Sequence, residues 1–120
     1  KDLPSNIKLI PKTANDKLPA VLSAHKYYLQ LSMAEGFPNA LCEAMLCGCT
    51  PVVSDVFSMS EIVSDKKYIL NKKDKTFFQN LLLSILKNGP LNAEQSRNKI
   101  SSRYSLSIRK NKLKSVLENL

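Results

Sequence analysis

Residues 34–55 read AEGFPNALCEAMLCGCTPVVSD. From Pro38 to Cys47 this segment is apolar nearly all round, which predicts a buried helix. The β-branched run at residues 50–54 is bounded by Gly48 and Asp55 and predicts a buried strand. A helix that leads straight into a buried strand favours an α/β fold.

The same alternation continues on both sides of this segment. Strands are expected at residues 7–10, 27–31 and 68–70, and helices at 15–22 and 59–63, from Thr76 to Gly89, and from Asn92 and Ser105 towards the end of the chain. Strands that alternate with helices at this spacing predict a Rossmann-like parallel sheet with flanking helices, the α/β class.

Residue types at the helix ends support these boundaries. Asp74 is a suitable N-cap for the amphipathic helix that Gly89-Pro90 would end. Asn92, followed three residues later by Gln95, resembles a capping box. We therefore expect two separate helices on either side of Gly89-Pro90.

Length and composition fit one domain. The chain has 120 residues, of which 43% are hydrophobic, so it is long enough for one core and too short for two. We expect alternation of strands and helices over residues 1–90 and carboxyl-terminal helices over residues 91–120. No apolar run is long enough to span a membrane, and residues 1–5 lack a secretory leader, so a cytoplasmic location is expected.

The cysteines are expected to be reduced thiols in the core. Cys42, Cys47 and Cys49 lack the paired spacing of a zinc site, and the single histidine, His25, is remote in sequence. Free cysteine is among the residues most often buried in proteins.

The chain is basic. Its 18 Lys and Arg against 10 Asp and Glu give a net charge of +8, which favours anionic partners such as nucleotides, nucleic acid or an anionic membrane. Runs of charge usually form solvated loops or helix faces, so the charge alone does not identify the partner. Much of the excess lies in Lys72-Lys73-Asp74-Lys75 and at Arg109, Lys110, Lys112 and Lys114.

The loop before the central helix is suited to bind an anion. It follows a predicted strand, and ligands of open α/β sheets bind beyond the carboxyl ends of the strands. Pro38 fits the first helical position, which would leave the N–H groups of Asn39, Ala40 and Leu41 to face a phosphate. Gly36 would allow a close backbone approach or a positive φ, or it is a plain turn residue.

Glu43 is a lone carboxylate in this apolar helix. A buried carboxylate is unfavourable unless it is paired or hydrogen-bonded. Glu43 is therefore expected to accept hydrogen bonds from two ligand hydroxyls, or else to pair with a lysine or lie on an exposed face.

Several features of this segment occur together. Seven residues separate Glu35 from Glu43, and the segment also holds Gly36-Phe37-Pro38, Glu43-Ala44-Met45, Cys47-Gly48 and Pro51-Val52-Val53. Together they resemble the donor-site signature of the family-4 glycosyltransferases. The resemblance is specific from Glu35 to Asp55 and looser from Ile7 to about Leu86. One departure is Phe57-Ser58, where many relatives have a glycine pair.

The resemblance implies the carboxyl-terminal half of a GT-B fold, an incomplete nucleotide-sugar-binding domain, and a role for each motif residue. Glu35 would be the catalytic residue that contacts the donor sugar. The segment after it would hold the sugar and its adjoining phosphate, Glu43 would bind the ribose hydroxyls, and residues 11–13 would contact the base. The implied donor-binding residues are Gly36, Phe37, Pro38, Asn39, Ala40, Leu41, Glu43, Pro11, Lys12 and Thr13.

The resemblance also implies a function. The protein would be a retaining glycosyltransferase of hexosyltransferase type, moving a sugar from a nucleotide-diphosphate sugar to a glycan or lipid-linked acceptor in surface polysaccharide biosynthesis. No cofactor and no metal would be needed. An amino-terminal acceptor domain and a basic pair for the diphosphate would lie outside these residues, so this chain alone is expected to be inactive. The basic tail would suit a peripheral contact with an anionic membrane.

Two other interpretations stay open at this point. A non-catalytic α/β interaction or regulatory module would keep the fold without turnover. A basic nucleic-acid-binding domain is suggested by the net charge alone and would bind with a steep salt dependence. No recognition motif supports it, and nucleic acid is not an expected partner.

Overall fold

The structure, a computed structural model, describes residues 2–71 and 74–119. Four residues lie outside the described ones, namely Lys1, Lys72, Lys73 and Leu120. Lys72 and Lys73 belong to the predicted basic run, and Leu120 to the predicted terminal helix. The elements are helices α1 (Leu18–Ser23), α2 (Asn39–Leu46), α3 (Phe57–Val63), α4 (Lys75–Asn88), α5 (Ala93–Tyr104) and α6 (Leu106–Glu118), strands β1 (Tyr27–Gln30), β2 (Thr50–Ser54) and β3 (Ile69–Leu70), and a 3₁₀ turn (Lys66–Tyr68).

The strands form a parallel sheet in the order β1-β2-β3. Tyr27 pairs with Thr50 and Gln30 with Val53, while Val53 also pairs with Ile69. Residues 50–53 of the central strand are buried, as a β-branched run between two neighbours should be. The predicted α/β class with a Rossmann-like parallel sheet is confirmed.

The strand predicted at residues 7–10 is wrong. This segment is irregular, and Ile7, Leu9 and Ile10 are exposed. Apolar residues favour a strand only where they can pair with a sheet edge and pack, and this segment joins neither edge of the sheet. The strand, helix and strand unit expected before residue 31 is therefore reduced to α1 and β1.

The ends of α4 and the start of α5 lie at the predicted capping residues. Asp74 accepts a hydrogen bond from the Phe77 N–H at 2.8 Å and caps α4, while Asn92 accepts one from the Glu94 N–H and caps α5. Gly89 ends α4 with a φ of 78°. Tyr68 belongs to the 3₁₀ turn, so β3 is shorter than predicted.

The core lies between the sheet and the helices that follow its strands. Its side chains come from α2, β2, α3, the 3₁₀ turn, α4 and α5, and the fully buried members include Leu41, Met45, Val52, Met59 and Val63. Cys42 and Cys49 are buried there as free thiols, as predicted, while Cys47 is only half-buried.

Helix α5 fixes the position of α2 and α3 through basic side chains. Arg97 Nε donates to the Leu46 carbonyl at 3.0 Å, and Lys99 Nζ donates to the Val63 carbonyl at 2.8 Å. Both acceptors lie at helix carboxyl ends, where carbonyls lack helical partners and a positive charge is favourable. The buried Ser96 hydroxyl also donates to the Cys49 carbonyl at 2.6 Å, at the entry to β2.

Within residues 2–71 and 74–119, every helix is too short or too polar to cross a membrane.

Candidate functional site

A carboxylate is held in place beyond the carboxyl end of β1. Gln30, the last residue of the strand, donates from Nε2 to Oε1 of Glu35 at 2.8 Å, and the Ser32 hydroxyl donates to the same oxygen at 2.5 Å. These bonds favour the charged form, so the Ser32 and Gln30 donors lower the pKa of Glu35. Because Glu35 is exposed, its ionised carboxylate is accessible to a ligand.

The loop that carries Glu35 is tied to the next strand. The Ser54 hydroxyl, at the end of β2, donates to the Ser32 carbonyl at 2.5 Å. The Tyr28 hydroxyl donates to Gln30 Oε1 at 3.2 Å, which orients the amide that holds Glu35. The carboxyl ends of β1 and β2 therefore form one hydrogen-bonded edge around this carboxylate.

Tyr28 is affected by a carboxylate at this edge and by another on α2. Burial raises the pKa of Tyr28, and the negative charges of Glu35 and Glu43 raise it further. Both glutamates therefore lie close enough to this phenol for their charges to act on it.

The start of α2 differs from the prediction by one residue. Pro38 is the N-cap, with a ψ of 79°, and the helix begins at Asn39. The Asn39 N–H donates to the Phe37 carbonyl at 3.0 Å and is therefore not free to face a phosphate. Leu41 is fully buried, which withdraws its N–H from solvent. Ala40 is exposed, and its N–H has no protein acceptor among the described residues.

Gly36 does not have the positive φ that was considered for it, since Gly48 and Gly89 are the described glycines with that conformation. Apart from its chain neighbours, no atom of the described residues lies within 4 Å of the position where a Cβ would stand on Gly36. The loop is therefore open at this point, next to Glu35 in sequence.

Glu43 lies at a cavity between α1 and α2. It is exposed, and its carboxylate makes no ion pair within the described chain, so the predicted pairing with a lysine is not seen there. The cavity has a volume of about 330 Å³. Its other lining residues are mostly apolar and comprise Asn15, Leu18, Pro19, Leu22, Leu46 and Cys47.

The loop predicted to contact a base does not line this cavity. Pro11 and Lys12 are exposed, and the Thr13 hydroxyl donates to the Pro11 carbonyl at 3.1 Å. The wall opposite Glu43 comes instead from α1, the helix that follows this loop.

Phe37 and Asn39 face a second cavity, of about 570 Å³, whose other walls are the end of α5 and α6. The Phe37 ring packs edge-on against Tyr104, with 5.5 Å between ring centroids. The structure therefore divides the predicted donor residues between two cavities, with Glu43 at one and Phe37 and Asn39 at the other.

Among the described residues, no group of three or more His, Cys, Asp or Glu side chains is arranged to hold a metal ion. Independence from metal stays a prediction.

Residues that orient or enclose the site were missed from the sequence. Gln30 and Ser32 hold Glu35, and Leu18 and Leu22 enclose the cavity at Glu43. Two-residue spacing on the predicted strand places Tyr28 and Gln30 on one face and was a usable signal for Gln30. No local pattern marks Ser32, since a serine in a loop is commonplace.

Comparison with protein families identifies one matching family. The family model described as glycosyl transferases group 1 matches residues 1–102. No curated protein matches the chain significantly.

Proposed function

Because the chain belongs to the group 1 glycosyl transferases, we propose that it is the donor-binding part of a retaining, family-4 hexosyltransferase with the GT-B fold. Sugar transfer and the binding of a nucleotide-sugar donor follow from the family in general. The assignment of residues to parts of the donor rests mainly on one observation. Glu35 precedes α2 in sequence and is held at the strand ends, whereas Glu43 lies within α2 and lines an apolar cavity.

The nucleoside is assigned to the cavity between α1 and α2. Its volume of about 330 Å³ is at the lower end of small-molecule sites, and its apolar lining suits a flat base. Glu43 is the acidic group of the lining and would accept hydrogen bonds from two ribose hydroxyls. Pro11, Lys12 and Thr13 would approach the base if their loop closes over the cavity.

The diphosphate is assigned to the start of α2. Ala40 presents an unbonded N–H there, and the positive end of the helix dipole attracts an anion. The same fixed dipole would stabilise the diphosphate as it leaves the sugar. The open space at Gly36 would let a phosphate or sugar approach the main chain closely.

The donor sugar is assigned to Glu35. A carboxylate whose pKa is lowered stays ionised, so it would accept hydrogen bonds from sugar hydroxyls throughout the pH range of most enzymes. Gln30 and Ser32 would position it, because both donate to the same oxygen, Oε1, and leave Oε2 for the ligand. Glu35 is therefore the proposed catalytic residue.

The remaining parts of the proposal concern the whole enzyme. We propose an acceptor domain and a basic pair for the diphosphate outside these residues, a glycan or lipid-linked acceptor, and a role in surface polysaccharide biosynthesis. We also propose a cytoplasmic location, reaction without a metal, and little activity of this chain alone.

Nucleotide titration followed by amide NMR shifts tests the donor assignment. UDP, GDP, ADP and their sugars are added in turn to the wild-type chain, to Glu43→Gln and to Glu94→Gln, a matched change at an exposed glutamate on α5. We expect one nucleotide to shift Ala40 and the α1 amides. We expect Glu43→Gln to weaken its binding about tenfold, since a charge-assisted hydrogen bond contributes roughly 1.5–3 kcal/mol.

Two results would contradict the donor assignment. One is a shift pattern that excludes Ala40 and α1 for every nucleotide. The other is an equal loss of affinity in Glu43→Gln and Glu94→Gln. Shifts caused by DNA in place of nucleotides would favour the nucleic-acid alternative.

A further inference from the structure

The cavity between Phe37, Asn39 and α6 combines apolar walls with free positive charge. We propose that it binds an amphiphilic anion, namely an apolar chain that carries a phosphate group. The binding site itself goes beyond the proposed function. That this ligand is the lipid part of an acceptor held between this cavity and the acceptor domain rests on the proposed function, because the cavity begins at the same loop that is assigned to the donor.

The apolar part of the ligand is indicated by the walls. Leu106, Ile108, Leu113 and Val116 line the cavity from α6, and the Phe37 and Tyr104 rings line it from the opposite side. Leu106 is 83% exposed and Val116 61% exposed, so this wall has little protein packed on it among the described residues. Contact with an apolar chain would remove this surface from water, which is favourable in proportion to the area covered.

The anionic part is indicated by the charges. Arg109 and Lys112 line the cavity, and neither makes an ion pair or a side-chain hydrogen bond with the described chain. Arg103 is already engaged, since it donates to the Glu61 carbonyl at 3.1 Å and lies 3.8 Å from the Glu61 carboxylate. Among the residues that the structure describes, no Asp or Glu lines the cavity, so an anion there would meet two unpaired cations without a lining carboxylate to repel it.

The size of the cavity favours a discrete ligand over an extended surface. At about 570 Å³ it lies within the range of small-molecule sites. Two other cations of α6, Lys110 and Lys114, do not line the cavity. They face an adjoining, more open hollow that shares Leu106, Arg109 and Leu113 with it, and Lys114 pairs with Glu118 at 3.6 Å. An anionic membrane would be attracted by all four cations, whereas a ligand in the cavity would use only Arg109 and Lys112.

The test uses decyl phosphate, inorganic phosphate and decanol as probes, with affinity measured from amide NMR shifts. We expect saturable binding of decyl phosphate with shifts at Phe37, Asn39 and α6, and at least tenfold weaker binding of each partial probe. The double variant Arg109→Gln/Lys112→Gln should weaken decyl phosphate binding about fivefold to tenfold. The expected loss is modest for two charges because solvent screens exposed cations. The matched variant Lys110→Gln/Lys114→Gln should change it less than twofold.

Three results would overturn the proposal. Inorganic phosphate that binds as tightly as decyl phosphate would show a simple anion site. Equal losses in the two double variants would show a general charge effect. Anionic phospholipid vesicles that bind while decyl phosphate does not would show a membrane-facing helix. Nucleotide binding, measured in the same variants, reports on the donor site separately, so failure of the one is distinguishable from failure of the other.

Discussion

The Ser32 hydroxyl lies 2.5 Å from Oε1 of Glu35 and donates a hydrogen bond to it. The Ser32 carbonyl in turn accepts a hydrogen bond from Ser54. One residue thus joins the end of β2 to the proposed catalytic carboxylate, and changes to Ser32 should be measurable at Glu35.

Ser32→Ala should raise the pKa of Glu35 towards its ordinary value, because the Ser32 bond is the largest cause of the lowering. Gln30→Ala should raise the pKa by a smaller amount. Titration of the Glu35 side-chain carboxyl by carbon NMR measures both, with Ser101→Ala on α5 as the control. A Glu35 pKa unchanged in Ser32→Ala would show that the bond does not form in solution.

The same bonds should make stability depend on pH. The pKa of Glu35 is lower in the folded than in the unfolded chain, so the stabilisation is full above the unfolded value and is lost as pH falls through the folded value. Ser32→Ala should therefore reduce the loss of stability on acidification. Urea unfolding at a series of pH values measures this. The prediction would be contradicted if the free energy of unfolding fell equally in the wild type and the variant down to the lowest pH measured.

Gly48→Ala should destabilise the fold by about 2–4 kcal/mol, from the sum of left-handed backbone strain and overpacking. Gly48 has a φ of 94°, and an added Cβ would lie 2.8 Å from the Cβ of Ala93 on α5. Gly36→Ala is the matched control, with open space around it, and should change the free energy of unfolding by less than about 0.5 kcal/mol. Urea unfolding measures both, and similar values for the two variants would contradict the prediction.

Thr50→Val should destabilise the fold by about 1–3 kcal/mol, the cost of a buried donor left without a partner. The buried Thr50 hydroxyl accepts the Leu91 N–H at 2.8 Å and connects β2 to the segment before α5. Amide hydrogen exchange gives a specific readout, since Leu91 should exchange faster in Thr50→Val and stay protected in Thr50→Ser, which keeps the acceptor. Equal protection of Leu91 in both variants would show another partner for this N–H.

Cys47 should react with N-ethylmaleimide before the other two cysteines. Burial raises the pKa of Cys42 and of Cys49, which reduces both their thiolate fraction and their access to reagent. Cys47 is half-buried and lines the cavity at Glu43, so a bound nucleotide should slow its modification. Mass spectrometry of the labelled chain measures the rate. Labelling of Cys47 at one rate with and without a bound nucleotide would place the nucleotide elsewhere.

The central segment was predictable because its signals are local. The apolar run of α2, the β-branched run of β2 and the caps at Asp74 and Asn92 all act within a few residues, and the structure has each of them. Residues 7–10 have an equally apolar pattern but form no strand, because strand formation also needs a partner that the pattern cannot specify.

The geometry of the proposed site was less predictable than its residue types. Glu35 and Glu43 were proposed from the resemblance of their segment to a donor-site signature, but the bonds that hold Glu35 come from side chains that only the fold brings together. The N–H groups at the start of α2 show the same limit. An inverse γ-turn centred on Pro38 uses the Asn39 N–H, which donates to the Phe37 carbonyl, and the helix starts one residue later than predicted. The residue types do not indicate this turn.

The basic side chains of α5 attach to the ends of α2 and α3, and these two helices follow the two loops at the carboxyl edge of the sheet. A ligand that pulls on either loop therefore acts against the same helix. The two loops should therefore move together. Slow opening of this edge should require α5 to separate from α2 and α3 first. Insertions within the loops should be tolerated more readily than any change that shortens α5.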